Sequence, residues 1–201
     1  MLLAIVDYGV GNLFSVKNAL DYIGVPSQIT SNKSDLLHAD AVILPGVGAF
    51  PDAMNRLKET GLDETLIDIS KQKPLLGICL GMQMLFEKSN EFSECAGLGL
   101  IPGEVILIKS ETLKIPHMGW NSLKYLNTSP LLDGIKEGEY FYFVHSYRAE
   151  TKDCNINAFC EYGEKIPALV NCGNVFGTQF HPEKSGEVGL EMLKNFWRLA
   201  K

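Results

Sequence analysis

The stretch PLLGICLGMQMLFE, from Pro74 to Glu87, decides how this chain is read. Its first half is a short apolar run of the kind that forms a buried strand, and its second half reads as a helix running on through MQMLFEKS. Cys79 stands at the bend, flanked by Gly77 and Gly81. A strand that turns directly into a helix is the repeating unit of parallel α/β sheets. The pentapeptide GICLG alone leaves two readings open. A small apolar residue would suit a tight turn. A nucleophile would suit the G-x-nucleophile-x-G elbow, where flanking glycines relieve crowding around a strained residue.

The flanking sequence extends the alternation. LLAIVDYG is an apolar run closed by glycine. GNLFSVKNALDYIG then sets Leu13, Val16, Ala19, Leu20 and Ile23 at helical spacing, with Gly24 as the stop. SQIT reads as a strand, DAVILPGVG as a buried strand ending at Leu44, and PDAMNRLKETGLDETLIDISKQK as helical material. The second half is β-rich: EVILIK, GWNSLKYL, EYFYFVHSYRAE, INAFCEYGEKIPALVN and NVFGTQFHPE alternate with turn signals such as NTSP, DG and NCGN. GEVGLEMLKNFWRLA closes as an amphipathic helix, with Val188, Leu190, Leu193, Phe196 and Trp197 on one side. The expected class is α/β, a mainly parallel central sheet flanked by helices, with additional antiparallel strands in the C-terminal half. A single domain is expected over residues 1–201.

Composition narrows the function. The formal net charge is −6, with no run of five like charges, which argues against a nucleic-acid binder with its basic stripe. No apolar stretch is long enough for a membrane span, and the N-terminus lacks the basic segment of a signal peptide. Five cysteines with no CxxC pair argue against a disulfide framework or a zinc cluster. Reduced thiols in a cytoplasm are expected, with no metal and no cofactor. Cys95, Cys154, Cys160 and Cys172 lie outside any elbow and read as incidental thiols.

If Cys79 is a nucleophile it needs a base, and the base needs an orienting group. Of the four histidines, His38 in DLLHAD reads as solvated. His117 in IPHMGW and His145 in FVHSY suit a core or a pocket wall as well as catalysis. His181 in GTQFHPEKS is followed two residues later by Glu183, on the same side if the strand continues. His181 and Glu183 thus supply a base and its carboxylate, and the elbow and HPE strengthen one another. The N–H of Leu80 at the helix start is one oxyanion donor, and LPGVGAF supplies a second, the N–H of Val47. Glycines flanking Val47 would permit its peptide to flip toward or away from the oxyanion.

GICLGMQ, LPGVG and FHPEKS together resemble the class I (triad-type) glutamine amidotransferase family. The resemblance implies that Cys79 attacks the side-chain amide of glutamine, with His181 and Glu183 completing the triad. It places the glutamine pocket near Gly46, Gln83, Glu91, Ser146 and Tyr147. Gln83 follows Cys79 by one helical turn, Glu91 would receive the α-ammonium, and Ser146 and Tyr147 would offer backbone groups. DYGVGN, IPHMGWN and YFVHSY narrow the resemblance to glutaminase subunits that serve histidine biosynthesis. That branch implies a heterodimer with a (β/α)8-barrel cyclase subunit, ammonia passing through an interior channel. By motif position Asn12, Met118, Trp120, Tyr142 and Lys184 face that partner. Three other readings stand beside this one: a non-enzymatic scaffold, a cysteine hydrolase of the same superfamily, and a paralogous subunit feeding ammonia to a sugar-modifying synthase.

Overall fold

In the computed structural model, which describes residues 1–200, β1 (Leu3–Val6) is buried along its whole length. Leu3 and Ile5 enter one core cluster, Ala4 and Val6 another. A strand buried on both faces belongs to a sheet covered above and below by helices. α1 (Leu13–Tyr22), β2 (Ser27–Thr30), α2 (Lys33–His38), β3 (Ala41–Gly46), α3 (Phe50–Glu59), α4 (Leu62–Ser70) and β4 (Leu75–Cys79) continue the alternation. Local chemistry sets the boundaries. Gly24 is left-handed just past α1, Asn32 caps α2 by accepting from Ser34 N and Asp35 N, and left-handed Gly61 splits α3 from α4.

β3 runs two residues beyond the predicted end at Leu44. Pro45 and Gly46 stay in register with Ile78 and Cys79 of β4. A proline is tolerated because β1 pairs with β3 only as far as Ile43. The Pro45 carbonyl instead accepts from the Tyr8 hydroxyl at 2.9 Å.

The helix expected through MQMLFEKS is also revised. α5 (Leu80–Met84) is only five residues long, and FEKS is strand β5 (Phe86–Ser89). Leu98 N donates to Met84 O, and Leu100 N and Ile101 N both donate to Leu85 O. A returning segment thus takes the carbonyls that a longer helix would need for itself.

β6 (Cys95–Ala96), β7 (Ile101–Leu107), β8 (His117–Ser122), β9 (Lys124–Tyr125), β10 (Tyr140–His145), β11 (Tyr147–Glu150), β12 (Ile156–Glu161), β13 (Lys165–Cys172), β14 (Val175–Thr178) and α6 (Gly186–Arg198) complete the chain. The main sheet has the order β2-β1-β3-β4-β14-β13-β12-β9. It is parallel as far as β14 and antiparallel beyond, as expected of the C-terminal half. A small sheet β11-β7-β5-β6 and a ribbon β8–β10 stand beside it. α6 buries Gly189, Met192, Leu193 and Phe196, so its inward stripe is displaced from the predicted one, and Val188, Leu190 and Trp197 are only partly covered. Among the described residues no helix is long and apolar enough to cross a membrane.

Candidate active site

β4 ends where the sheet's carboxyl edge meets α5, and Cys79 takes the bend at φ 55°, ψ −112°. A side chain in that region costs about 1–3 kcal/mol and persists only when its surroundings impose it. The two glycines of GICLG make room for it. A Cβ on Gly77 would lie 2.6 Å from Gly81 O, and one on Gly81 would lie 1.9 Å from Leu44 O. Gly46 serves the same close approach, since its Cβ would stand 2.6 Å from Gly81 N. It sits behind the elbow, not on the wall of the cavity described below.

His181 arrives from β14, the strand next to β4. Its Nδ1 lies 2.8 Å from Glu183 Oε1, with both side chains buried. The strand does not continue to Glu183, as period-2 spacing would have it. Pro182–Lys184 form a 3-10 turn, because Pro182 has no N–H for the ladder and Lys184 N folds back onto His181 O. Ser185 Oγ locks the turn, donating to His181 O at 2.6 Å and accepting from Tyr142 N at 3.0 Å. His181 Nε2 is buried without a formal hydrogen bond, and Cys79 is close enough to act on its charge.

Cys79 and His181 open into a cavity of about 460 Å³. Val47, Leu80, Gln83, Glu91, Ser146 and Tyr147 are on its wall, so most of the predicted glutamine pocket converges there. Glu91 Oε2 accepts from Phe50 N at 2.7 Å, which ties the carboxylate to the start of α3. A larger concavity of about 670 Å³, between the Tyr125–Gly134 segment and α6, holds no cysteine or histidine. Size therefore does not single out the candidate site; the strained cysteine does.

The profile of the glutamine amidotransferase class-I family matches residues 4–199. This chain belongs to the class I glutamine amidotransferases. It is 53% identical over 196 residues to the imidazole glycerol phosphate synthase subunit HisH of Bacillus cereus, covering 97% of this chain and 93% of that one. With the HisH subunit of Listeria monocytogenes the identity is 51% over 197 residues, covering 97% and 94%. The solved structure of PurLQS from Thermotoga maritima superposes with a TM-score of 0.77 at 22% identity, over all of this chain and 99% of that one, a likeness of fold.

Within this amidotransferase the charge on the histidines is set locally. Burial works against charge on His181, but the adjacent Cys79 sulfur and the hydrogen-bonded Glu183 carboxylate outweigh it and push its pKa up to about 10. His145 also borders the cavity, and burial holds its pKa down at about 3. Its Nδ1 lies 2.7 Å from Tyr147 O, and its Nε2 lies 3.0 Å from His117 Nδ1. His117 is sandwiched between Phe143 and Tyr162, and burial lowers it to about 4. Both rings are pocket-wall and core groups, one of the two readings their positions left open. His38 is exposed, as expected.

The residues predicted for a partner face fall outside the cavity. Met118 and Trp120 are 62% and 56% exposed on the ribbon, and Trp120 meets Tyr142 edge-on at 6.0 Å. Core packing is thus excluded for Trp120. Lys184 is exposed beside the His181 turn, and Asn12 shares a small void with Val47, His181 and Glu183. Sequence reasoning passed over Tyr8, Gln179 and Ser185. Gln179 and Ser185 stand within a few residues of His181 in GTQFHPEKS, and buried polar side chains so placed were the available signal.

Proposed function

We propose that the protein is the glutaminase subunit of an imidazole glycerol phosphate synthase, making ammonia for histidine biosynthesis. The carrying observation is the strained Cys79 in one cavity with a histidine held by Glu183 at 2.8 Å. In this reading Cys79 Sγ attacks the side-chain carbonyl carbon of glutamine, and the N–H groups of Val47 and Leu80 receive the oxyanion. The C–N bond breaks, and His181 passes the thiol proton to the departing ammonia. Water then attacks the thioester, giving its proton to His181, which returns it to sulfur as glutamate leaves. Glu183 holds the ring so that Nε2 faces the sulfur.

Glu91 takes the substrate's α-ammonium. Gln83 spends both amide hydrogens on Tyr147 O and Gln179 Oε1, each at 3.0 Å, so it meets glutamine through its carbonyl oxygen. Tyr147 O already accepts from two protein donors, so this residue serves the substrate with another group, whereas Ser146 O accepts only from Ile108 N and keeps a lone pair for it. Of the flanking glycines, Gly48 is free to turn, at φ +95° with open space around it, whereas Gly46 is held in the ladder. The partner is a (β/α)8-barrel cyclase subunit seated over Asn12, Met118, Trp120, Tyr142 and Lys184, with ammonia passing through an interior channel. Large, exposed aromatic and sulfur side chains are the kind that anchor such contacts.

Reconstitution with the candidate cyclase subunit tests this, following formation of imidazole glycerol phosphate. Glutamine should support it, and Cys79→Ala should lower glutamine-dependent formation by about 10³-fold or more while ammonia-dependent formation persists. If ammonia salts support the cyclase but this chain with glutamine never does, the pathway assignment fails, and a sugar-modifying synthase becomes the recipient to examine.

A further inference from the structure

Gln179 is wholly buried, and its Nε2 lies 3.8 Å from Cys79 Sγ. An amide beside a thiol can present either its N–H₂ or its carbonyl, and in most settings the two are hard to tell apart. Here the surroundings decide it. The Tyr147 backbone carbonyl can only accept. It therefore requires the N–H₂ of Gln83, at 3.0 Å, and the Nδ1–H of His145, at 2.7 Å. Gln83 gives its other hydrogen to Gln179 Oε1 at 3.0 Å. That turns the N–H₂ of Gln179 toward the sulfur.

The same logic orients the histidines. With Nδ1–H of His145 committed to Tyr147, its Nε2 accepts from His117 Nδ1–H at 3.0 Å. His117 Nε2 in turn accepts from Asn121 Nδ2 at 3.3 Å. Every link has one direction: the histidine links run to the Tyr147 carbonyl, and those from Gln83 run through Gln179 to Cys79. Besides His181, Sγ also meets an acceptor, Val144 O at 3.9 Å. The sulfur thus has an acceptor suited to the thiol and a donor suited to the thiolate.

We propose that Gln179 is a further catalytic residue, an oriented amide that donates to the Cys79 thiolate and is kept in that orientation by Gln83 and the Tyr147 carbonyl. The proposal deepens the glutaminase reading, but its test needs neither glutamine nor a partner. Charge-assisted donors are the stronger hydrogen bonds, and removing one from a nucleophilic sulfur lowers the share present as thiolate.

The test is alkylation of Cys79 by iodoacetamide in the free chain, followed on the peptide bearing Cys79 across neutral to alkaline pH. Gln179→Met, similar in shape and without a donor, should slow the reaction about tenfold at neutral pH and displace the profile to higher pH. Gln179→Glu, which places a negative acceptor there, should slow it further. Gln83→Leu keeps Gln179 but frees its amide to turn over, and should slow alkylation severalfold; it decides the matter if Gln179→Met does not fold. Alkylation of Gln179→Met, or in its place Gln83→Leu, within twofold of the parent chain at every pH would overturn the proposal. Failure of the glutaminase reading shows separately, as a parent complex that reacts with iodoacetamide yet never turns over glutamine.

Discussion

Two buried imidazole systems lie on the wall of one cavity and have opposite character. His181 faces a carboxylate and a thiol and is driven to about 10. His145 is about as buried, with His117 and a backbone carbonyl for partners, and falls to about 3. Burial alone discharges a histidine, and a neighbouring anion reverses that. One corner therefore holds a ring that can carry a proton, and the other holds neutral rings whose hydrogen bonds have fixed direction.

Removing the anion should break this contrast most severely. Glu183→Gln keeps the shape and a hydrogen bond but withdraws the charge, and should reduce glutamine hydrolysis in the complex by about 10²–10⁴-fold, read as kcat/KM. A loss below tenfold would mean that the carboxylate does not set the state of His181.

The second way to probe the contrast is pH. His181 has a folded pKa above its unfolded value of 6.5, so its contribution to stability is complete below pH 6.5 and is lost as pH rises through about 10. His145 and His117 have folded values below 6.5, so theirs is complete above pH 6.5 and is lost as pH falls toward about 3 and about 4 respectively. A tenfold difference in proton affinity between folded and unfolded chain is worth about 1.4 kcal/mol, so His145 alone should cost on the order of 3 kcal/mol between pH 7 and pH 4. Urea unfolding at the two pH values checks this, with His145→Phe expected to show a shallower fall. Equal pH dependence in both proteins would refute the assignment.

The smallest effect is expected at His38, exposed on α2, with Nδ1 2.6 Å from Ser34 O. His38→Gln should alter stability by no more than about 0.5 kcal/mol, measured by urea unfolding. A larger loss would show that this exposed ring is held by more than its contact with Ser34.

Much of this was legible in the chain itself. The alternation of apolar runs with helical spacing, together with the glycines at the elbow, was enough for the α/β class and for Cys79, because buried strands and tight turns leave local chemical signatures. That Cys79, His181 and Glu183 are candidates for a triad was legible for a similar reason, since few residue types can act as nucleophile, base and orienting acid. What local reading could not supply was decided by contacts between distant segments. FEKS became a strand because Leu98, Leu100 and Ile101 return to claim the carbonyls of Met84 and Leu85. Glu183 came back to His181 through a turn closed by Ser185. The direction of the Gln179 amide depends on Tyr147 and Gln83, which meet it only after three separate parts of the chain have packed. Residue types and local periodicity determine which groups are available. The tertiary structure alone decides which way their hydrogens point, because a buried polar atom must take whatever partner the fold places beside it.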